Sequence, residues 1–220
     1  MPSLVAAELV APGGTVLGID LASGMVELAK SKGEERGLKN LTFRQADAED
    51  LPFAEESFDV VLCNHGLVHT ADRIKALREM WRVLKRDGLL ALSVWSTPDR
   101  ALTIGIVAKT IRECYPAAIV PGAPMWFDFG PEGALEGALS QTGFDRVRVA
   151  RYSIGLEITN AEEYWQGVVG ISGRLQMLLQ SIPPEVASAI KVKVMKAAER
   201  FSSEESLKIP CEEVIAWARK

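Results

Sequence analysis

Cysteine and histidine are scarce in this chain, and basic charge is in deficit against acidic. The three cysteines, Cys63, Cys114 and Cys211, are odd in number, far apart and in no metal-ligand spacing, so neither a disulfide framework nor a metal site is expected. Such thiols fit a reducing cytoplasm. No Lys or Arg precedes Lys30, and Glu8 interrupts the first apolar stretch. No run approaches the roughly 18 apolar residues of a membrane span, so neither a signal peptide nor a transmembrane helix is expected. Lys and Arg number 25 against 29 Asp and Glu, a net charge of -4. That balance gives no reason to expect a nucleic-acid backbone as partner, because phosphate binding shows as a basic surface. None of the 18 glycines forms a G-x-G pair. The glycine turn of a nicotinamide-dependent dehydrogenase is therefore absent.

What is present is an ordinary globular composition, 48% hydrophobic and 25% charged over 220 residues, enough for one sizeable core. The organising stretch runs from Gly14 to Asp20: turn glycines, then apolar and β-branched residues, then a carboxylate where the apolar run stops. It has the form of a buried parallel strand. Ligands of open α/β sheets sit outside the carboxyl ends of the strands, where a carboxylate can accept hydrogen bonds from both hydroxyls of a ribose. Asp20 is thus a candidate nucleoside contact, and the plainer alternative is a cap on the next helix.

Along the chain, residues 3–10 read as a helix stopped by Ala11-Pro12-Gly13-Gly14. A second helix running to about Gly37 places Met25, Leu28 and Ala29 on one face. Strands follow at 41–46 and 58–63, separated by the polar loop Asp47-Ala48-Glu49-Asp50-Leu51-Pro52-Phe53. Residues 72–86 form an amphipathic helix with Ile74, Leu77, Trp81 and Leu84 on its apolar side, and its Glu, Lys and Arg residues read as a solvated face. Residues 89–95 are a strand buried on both faces. Strands alternating with helices over 1–95 imply a doubly wound, mostly parallel sheet with helices on both faces.

The second half reads as a helix at 100–113, a loop at 115–130 rich in proline, glycine and aromatics, a short helix at 135–141 and an alternating strand at 144–152. Helices at 161–180 and 185–201 flank Pro183-Pro184. A closing strand at 207–218 contains Pro210, which predicts a sheet edge or a bulge. The expected organisation is one domain, 1–220. Residues 1–96 form a cofactor-binding half, 97–142 and 153–206 are insertions forming a substrate lid, and 143–152 and 207–218 are C-terminal strands.

The order of signals resembles a class I S-adenosylmethionine-dependent methyltransferase of the ubiquinone and menaquinone biosynthesis type. The resemblance rests on Gly18-Ile19-Asp20 with Met25, on Gln45-Ala46-Asp47-Ala48-Glu49-Asp50-Leu51-Pro52-Phe53, on Ser57-Phe58-Asp59-Val60-Val61, and on Glu79-Met80-Trp81-Arg82-Val83-Leu84-Lys85-Arg86-Asp87-Gly88. It implies a Rossmann-like α/β sheet with an antiparallel C-terminal edge, S-adenosylmethionine as cofactor and methyl transfer to a small-molecule acceptor. By the same resemblance Asp20 would hold the ribose hydroxyls, and Leu21 and Met25 would lie near the adenosine. Asp47 would accept from the adenine amino group, Ala48 would offer its N–H to the ring, and Asn64 would face the methionine portion. The family's first strand and glycine-rich turn have no counterpart in this sequence, which points to a truncated or mis-started version of a longer enzyme. An incomplete sheet of that kind is expected to pair two copies into a homodimer. A non-catalytic methyltransferase-like fragment or interaction module is the alternative.

Methyl transfer from a sulfonium needs alignment and exclusion of water more than a base. His65 is the weak candidate for proton transfer or acceptor contact, and His69 is a second acceptor-side residue with a packing role as its plainer alternative. Trp126 and Phe127, with Phe129, would line an acceptor pocket under the 115–130 loop or form a satellite core.

Overall fold

The structure is a computed structural model and describes residues 2–118, 126–203 and 206–220. The chain divides into two compact units, Met1–Leu92 with Glu136–Arg148 and Ala216–Lys220, and Ser93–Leu135 with Val149–Ile215. Its strands fall into a two-stranded sheet, β1-β2, and a four-stranded sheet in the order β3-β4-β6-β5.

The first unit begins with α1 (Pro2–Val10), β1 (Val16–Asp20), α2 (Ser23–Glu35) and β2 (Leu41–Gln45). Strands β1 and β2 are parallel, in register from Val16 opposite Leu41 to Asp20 opposite Gln45. Gly18 is required by this pairing, since a Cβ there would stand 2.5 Å from the Phe43 ring. Helix α2 buries Val26, Ala29 and Gly33, leaving Met25 and Leu28 exposed, so the apolar face expected over 25, 28 and 29 is rotated by one residue. The physical reason is close packing: a Cβ at Gly33 would meet Leu41 at 3.5 Å and Phe43 at 3.7 Å, so this narrow stripe lies against β2.

Strand β3 (Phe58–Asn64) is followed by a single 3-10 turn, Gly66–His69, and then by α3 (Arg73–Val83). Asp72 caps α3 by accepting from the Lys75 N–H at 2.9 Å. The buried face of α3 centres on Ala76, Leu77, Met80 and Val83, so Ile74 and Trp81 lie at its margins. The helix also ends earlier than the sequence suggests, because β4 (Leu84–Trp95) starts at once. Backbone pairing explains this: Asp87 N–H donates to Lys220 O and Lys220 N–H to Gly88 O, drawing residues 84–88 into the sheet.

Opposite Gly88 stands Lys220 and opposite Ser96 stands Glu212, so β6 (Leu207–Arg219) runs antiparallel to β4. Pro210 therefore belongs to an interior strand, not to an edge. Its missing N–H is tolerated because β4 has ended: Ser96 bonds to Glu212, and beyond it Ala101 bridges Cys211.

The second unit carries α4 (Leu102–Cys114), most of β5 (Asp145–Ile158), α6 (Ala161–Ile171), α7 (Gly173–Ser181) and α8 (Pro184–Ala198), while α5 (Ala134–Gln141) lies mainly in the first. Its core joins Val107 and Ile111 of α4, Tyr164 and Val168 of α6, Ile190 and Val194 of α8, and Ile209 of β6. The helix expected over 161–180 is broken at Ser172, which closes α6 and caps α7 by accepting from the Leu175 N–H at 3.2 Å. Part of the expected aromatic loop, 119–125, lies outside the described residues. Among the described residues no helix is long and apolar enough to cross a membrane, and no group of three His, Cys, Asp or Glu could hold a metal ion.

Candidate functional site

Parallel pairing brings the carboxyl ends of β1 and β2 side by side, and with them two of the carboxylates singled out from the sequence. Asp20 is exposed at the last position of β1, and its Oδ1 accepts from the Ala22 N–H at 2.9 Å. The N-cap of α2 is Ala22, without a side-chain bond, so Asp20 shapes the turn and is not the helix cap. A carboxylate has about four acceptor sites, so this one local bond leaves room for ribose hydroxyls. Leu21 and Met25, beside it, are 66% and 44% exposed. Exposed apolar side chains next to an acceptor suit one face of a nucleoside.

The turn is locked to the neighbouring strand end: Gln45 Nε2 donates to Leu21 O at 2.9 Å and Ala46 N–H to Asp20 O at 3.1 Å. Two residues on, Asp47 opens a tight turn in which its Oδ1 accepts from the Glu49 N–H at 2.8 Å and its carbonyl from the Asp50 N–H at 3.2 Å. Asp47 is exposed and Ala48 half-buried at the head of that turn. The carboxylate of Glu49 ties the turn to the segment entering α3, accepting from the N–H groups of Ala71 at 2.6 Å and Asp72 at 3.1 Å.

Asn64 is exposed at the carboxyl end of β3, and His65 follows in the left-handed region, φ 52° and ψ 4°. A non-glycine residue held there marks a constrained strand end, and histidine is among the residues that tolerate it. His69 closes the 3-10 turn, exposed. Burial pushes the Cys63 thiol up, away from the thiolate form. Phe127 lies in the core of the second unit with Trp126 packed against it.

Gln45, Glu49, Glu79 and Arg82 stand in the motifs quoted from the sequence, which gave them no role of their own. The charged residues of α3 are not all a solvated face: Glu79 and Arg82 side chains are 18% and 27% exposed and paired at 2.7 Å. The Arg82 guanidinium holds the Glu79 carboxyl below its ordinary value, and Glu79 in turn raises Arg82.

Residues 2–92 match the family model described as a methyltransferase domain. Over 207 residues the chain is 30% identical to nocamycin O-methyltransferase of Saccharothrix syringae, covering 87% of this chain and 71% of that one. The chain belongs to the class I S-adenosylmethionine-dependent methyltransferases. It is also 43% identical over 91 residues to the demethylmenaquinone methyltransferase of Lactococcus lactis, covering 41% of this chain and 36% of that protein. The match thus spans little more than a third of that relative's length. In fold the methyltransferase chain is similar to the crystal structure of YcgJ from Bacillus subtilis, with a TM-score of 0.59, 22% identity and coverage of 94% of this chain and 82% of that one. The family's cofactor is S-adenosylmethionine, and Asp20, Leu21, Met25 and Asp47 are exposed at these strand ends, where they could hold it.

Proposed function

We propose that this protein binds S-adenosylmethionine at the carboxyl ends of β1, β2 and β3 and transfers its methyl group to a small-molecule acceptor. The observation that carries the reading is the pair of exposed carboxylates, Asp20 and Asp47, on adjacent parallel strand ends with Leu21 and Met25 beside them. Asp20 takes the ribose hydroxyls, Asp47 the exocyclic amino group of the base, Ala48 N–H a ring nitrogen, and Asn64 the amino-acid end. The cofactor supplies an electrophilic methyl on a sulfonium. The chain's own residues have to fix the nucleoside and keep the acceptor in line, with no obligatory base. His65 and His69 are assigned to the acceptor side, where an imidazole nitrogen can take the proton of an acceptor that must lose one. Residues 97–142 and 153–206 are assigned to acceptor binding, with Trp126 at the margin of the core that holds Phe127.

The test is calorimetric titration of S-adenosylhomocysteine into the native chain and Asp20→Ala. Loss of charged hydrogen bonds should weaken binding by about 1 to 3 kcal/mol. Equal affinity in the two proteins removes Asp20 from the site. A second reading, a non-catalytic methyltransferase-like module, is favoured by the division of the strands into two sheets. Binding of S-adenosylhomocysteine without turnover across a panel of acceptors would select it. The outer edge of β3, with Val60 and Leu62 48% and 49% exposed, supports a homodimer.

A further inference from the structure

The loop that carries Asp47 and Ala48 is held from behind by one ion pair on α3. Arg82 donates Nη1 to Phe53 O at 2.8 Å and Nη2 to Leu51 O at 2.9 Å, while Glu79 Oε2 accepts from the Leu51 N–H at 2.9 Å. The same two side chains bind each other through two parallel contacts, Nε to Oε1 and Nη2 to Oε2, both 2.7 Å. Across Leu51-Pro52-Phe53, where proline has no N–H, the pair thus engages an N–H and two carbonyls. Leu51 is 8% exposed, and the Phe53 ring stacks edge-on against Phe58 with centroids 5.1 Å apart. The near end of the loop is fixed by Ala46 to Asp20, and its middle by Glu49 to Ala71 and Asp72. The turn at Asp47 and Ala48 lies between these two anchors, with the Asp47 side chain exposed.

We infer that Glu79 and Arg82 are positioning residues that hold the Asp47–Ala48 turn rigid and so set the site's selectivity for an adenine base over a 6-oxopurine. This rests on the assignment of Asp47 and Ala48 to the base. A carboxylate accepts from the 6-amino group of adenine but meets an oxygen in a 6-oxopurine, where acceptor faces acceptor and neither is satisfied. Discrimination of this kind requires the carboxylate to stay put. A turn free to swing away costs affinity for adenine and forgives the oxo group. The planar guanidinium fork is what spans two carbonyls and a carboxylate together, and lysine, whose three donors all sit on one nitrogen, cannot reach all of them.

The experiment titrates S-adenosylhomocysteine and S-inosylhomocysteine into the native chain, Arg82→Lys, Glu79→Gln and Asp47→Ala, with amide hydrogen exchange of peptides covering 46–53 recorded without ligand. Arg82→Lys should weaken S-adenosylhomocysteine about tenfold, lower its preference over the inosyl compound, and speed exchange in 46–53 about tenfold while β1 and α2 keep theirs. Glu79→Gln should do the same to a smaller degree. Arg82→Lys added to Asp47→Ala should not change the preference further. An unchanged preference or unchanged exchange in Arg82→Lys overturns the inference. If the native chain shows no preference, or Asp47→Ala keeps it, the base assignment fails and the selectivity role fails with it. The exchange data then report separately whether the ion pair holds the loop.

Discussion

Replacing Glu212 with alanine removes the acceptor at the centre of a polar cluster in the second unit. Glu212 Oε1 accepts from the Ser96 hydroxyl at 2.6 Å, from Arg151 Nη1 at 3.3 Å and from Arg100 Nη1 at 3.4 Å. Arg151 also donates to Ser96 Oγ at 2.9 Å and to Gly130 O at 2.8 Å. Ser96 is fully buried, so its bond to a charged acceptor is worth about 1.5 to 3 kcal/mol. The two longer ion contacts involve side chains 25% and 58% exposed for Arg151 and Arg100, and together add about 0 to 1 kcal/mol. The expected loss is about 1.5 to 4 kcal/mol, or about 3 to 16 °C in melting temperature for a chain of this size.

The dependence on pH has a definite sign. The Ser96 hydroxyl first, then the arginines, hold the Glu212 carboxyl below its ordinary value of 4.5 against the opposing effect of burial. A group depressed in the folded state stabilises above its unfolded pKa and loses that contribution as pH falls through the folded value. The gap between native protein and Glu212→Ala should therefore be full at neutral pH and narrow below 4.5. Urea unfolding followed by tryptophan fluorescence at pH 7 and at pH 3.5 measures it. Ser96→Ala should cost less in Glu212→Ala than in the native chain, since only the bond that Ser96 Oγ accepts from Arg151 Nη1 is then left to lose. A gap below about 0.5 kcal/mol at pH 7, or one of equal size at both pH values, would refute this account.

Two further substitutions or measurements probe the first unit. Gly143 has φ +99°, its carbonyl accepts from Trp81 Nε1 at 3.1 Å, and a Cβ there would stand 3.1 Å from that nitrogen. Gly143→Ala should cost about 1 to 3 kcal/mol by urea unfolding, and an unchanged midpoint would show that the backbone relaxes freely. Pairing through the outer edge of β3 should appear as a concentration-dependent rise in mass by light scattering. A monomer throughout the range would remove the homodimer.

The strand ends were legible because each joins two independent signals, an apolar run and a polar residue where it stops. Asp20, Asp47 and Asn64 all stand at or just past such ends in the structure. The Glu79–Arg82 pair was not legible. Spaced three apart on an amphipathic helix, it has the pattern of a surface ion pair, and its targets lie 28 to 31 residues away in a loop with no periodicity. Pro210 misled for a related reason. Proline reports that an N–H is missing, but whether a neighbour asks for that N–H depends on where β4 ends, which is a property of another strand. Ser172 hid a helix break because serine caps a helix and continues one with similar ease when its neighbours are apolar.

The pairing of Gly88 with Lys220, and of Asp87 O with Arg219 Nη1 at 2.6 Å, joins positions 132 apart in the chain. Closing so long a loop costs about 4 kcal/mol in chain entropy by the logarithmic scaling, before any contact rewards it. At translation rates of about 5 to 20 residues per second, the start of β4 waits on the order of 7 to 26 s for its partner to be made. During that interval the strand edge from Leu84 to Gly88 is open on the nascent chain. Chaperone demand during synthesis should therefore fall on this edge, and a circular permutant that moves β6 next to β4 should fold faster with the same ligand site.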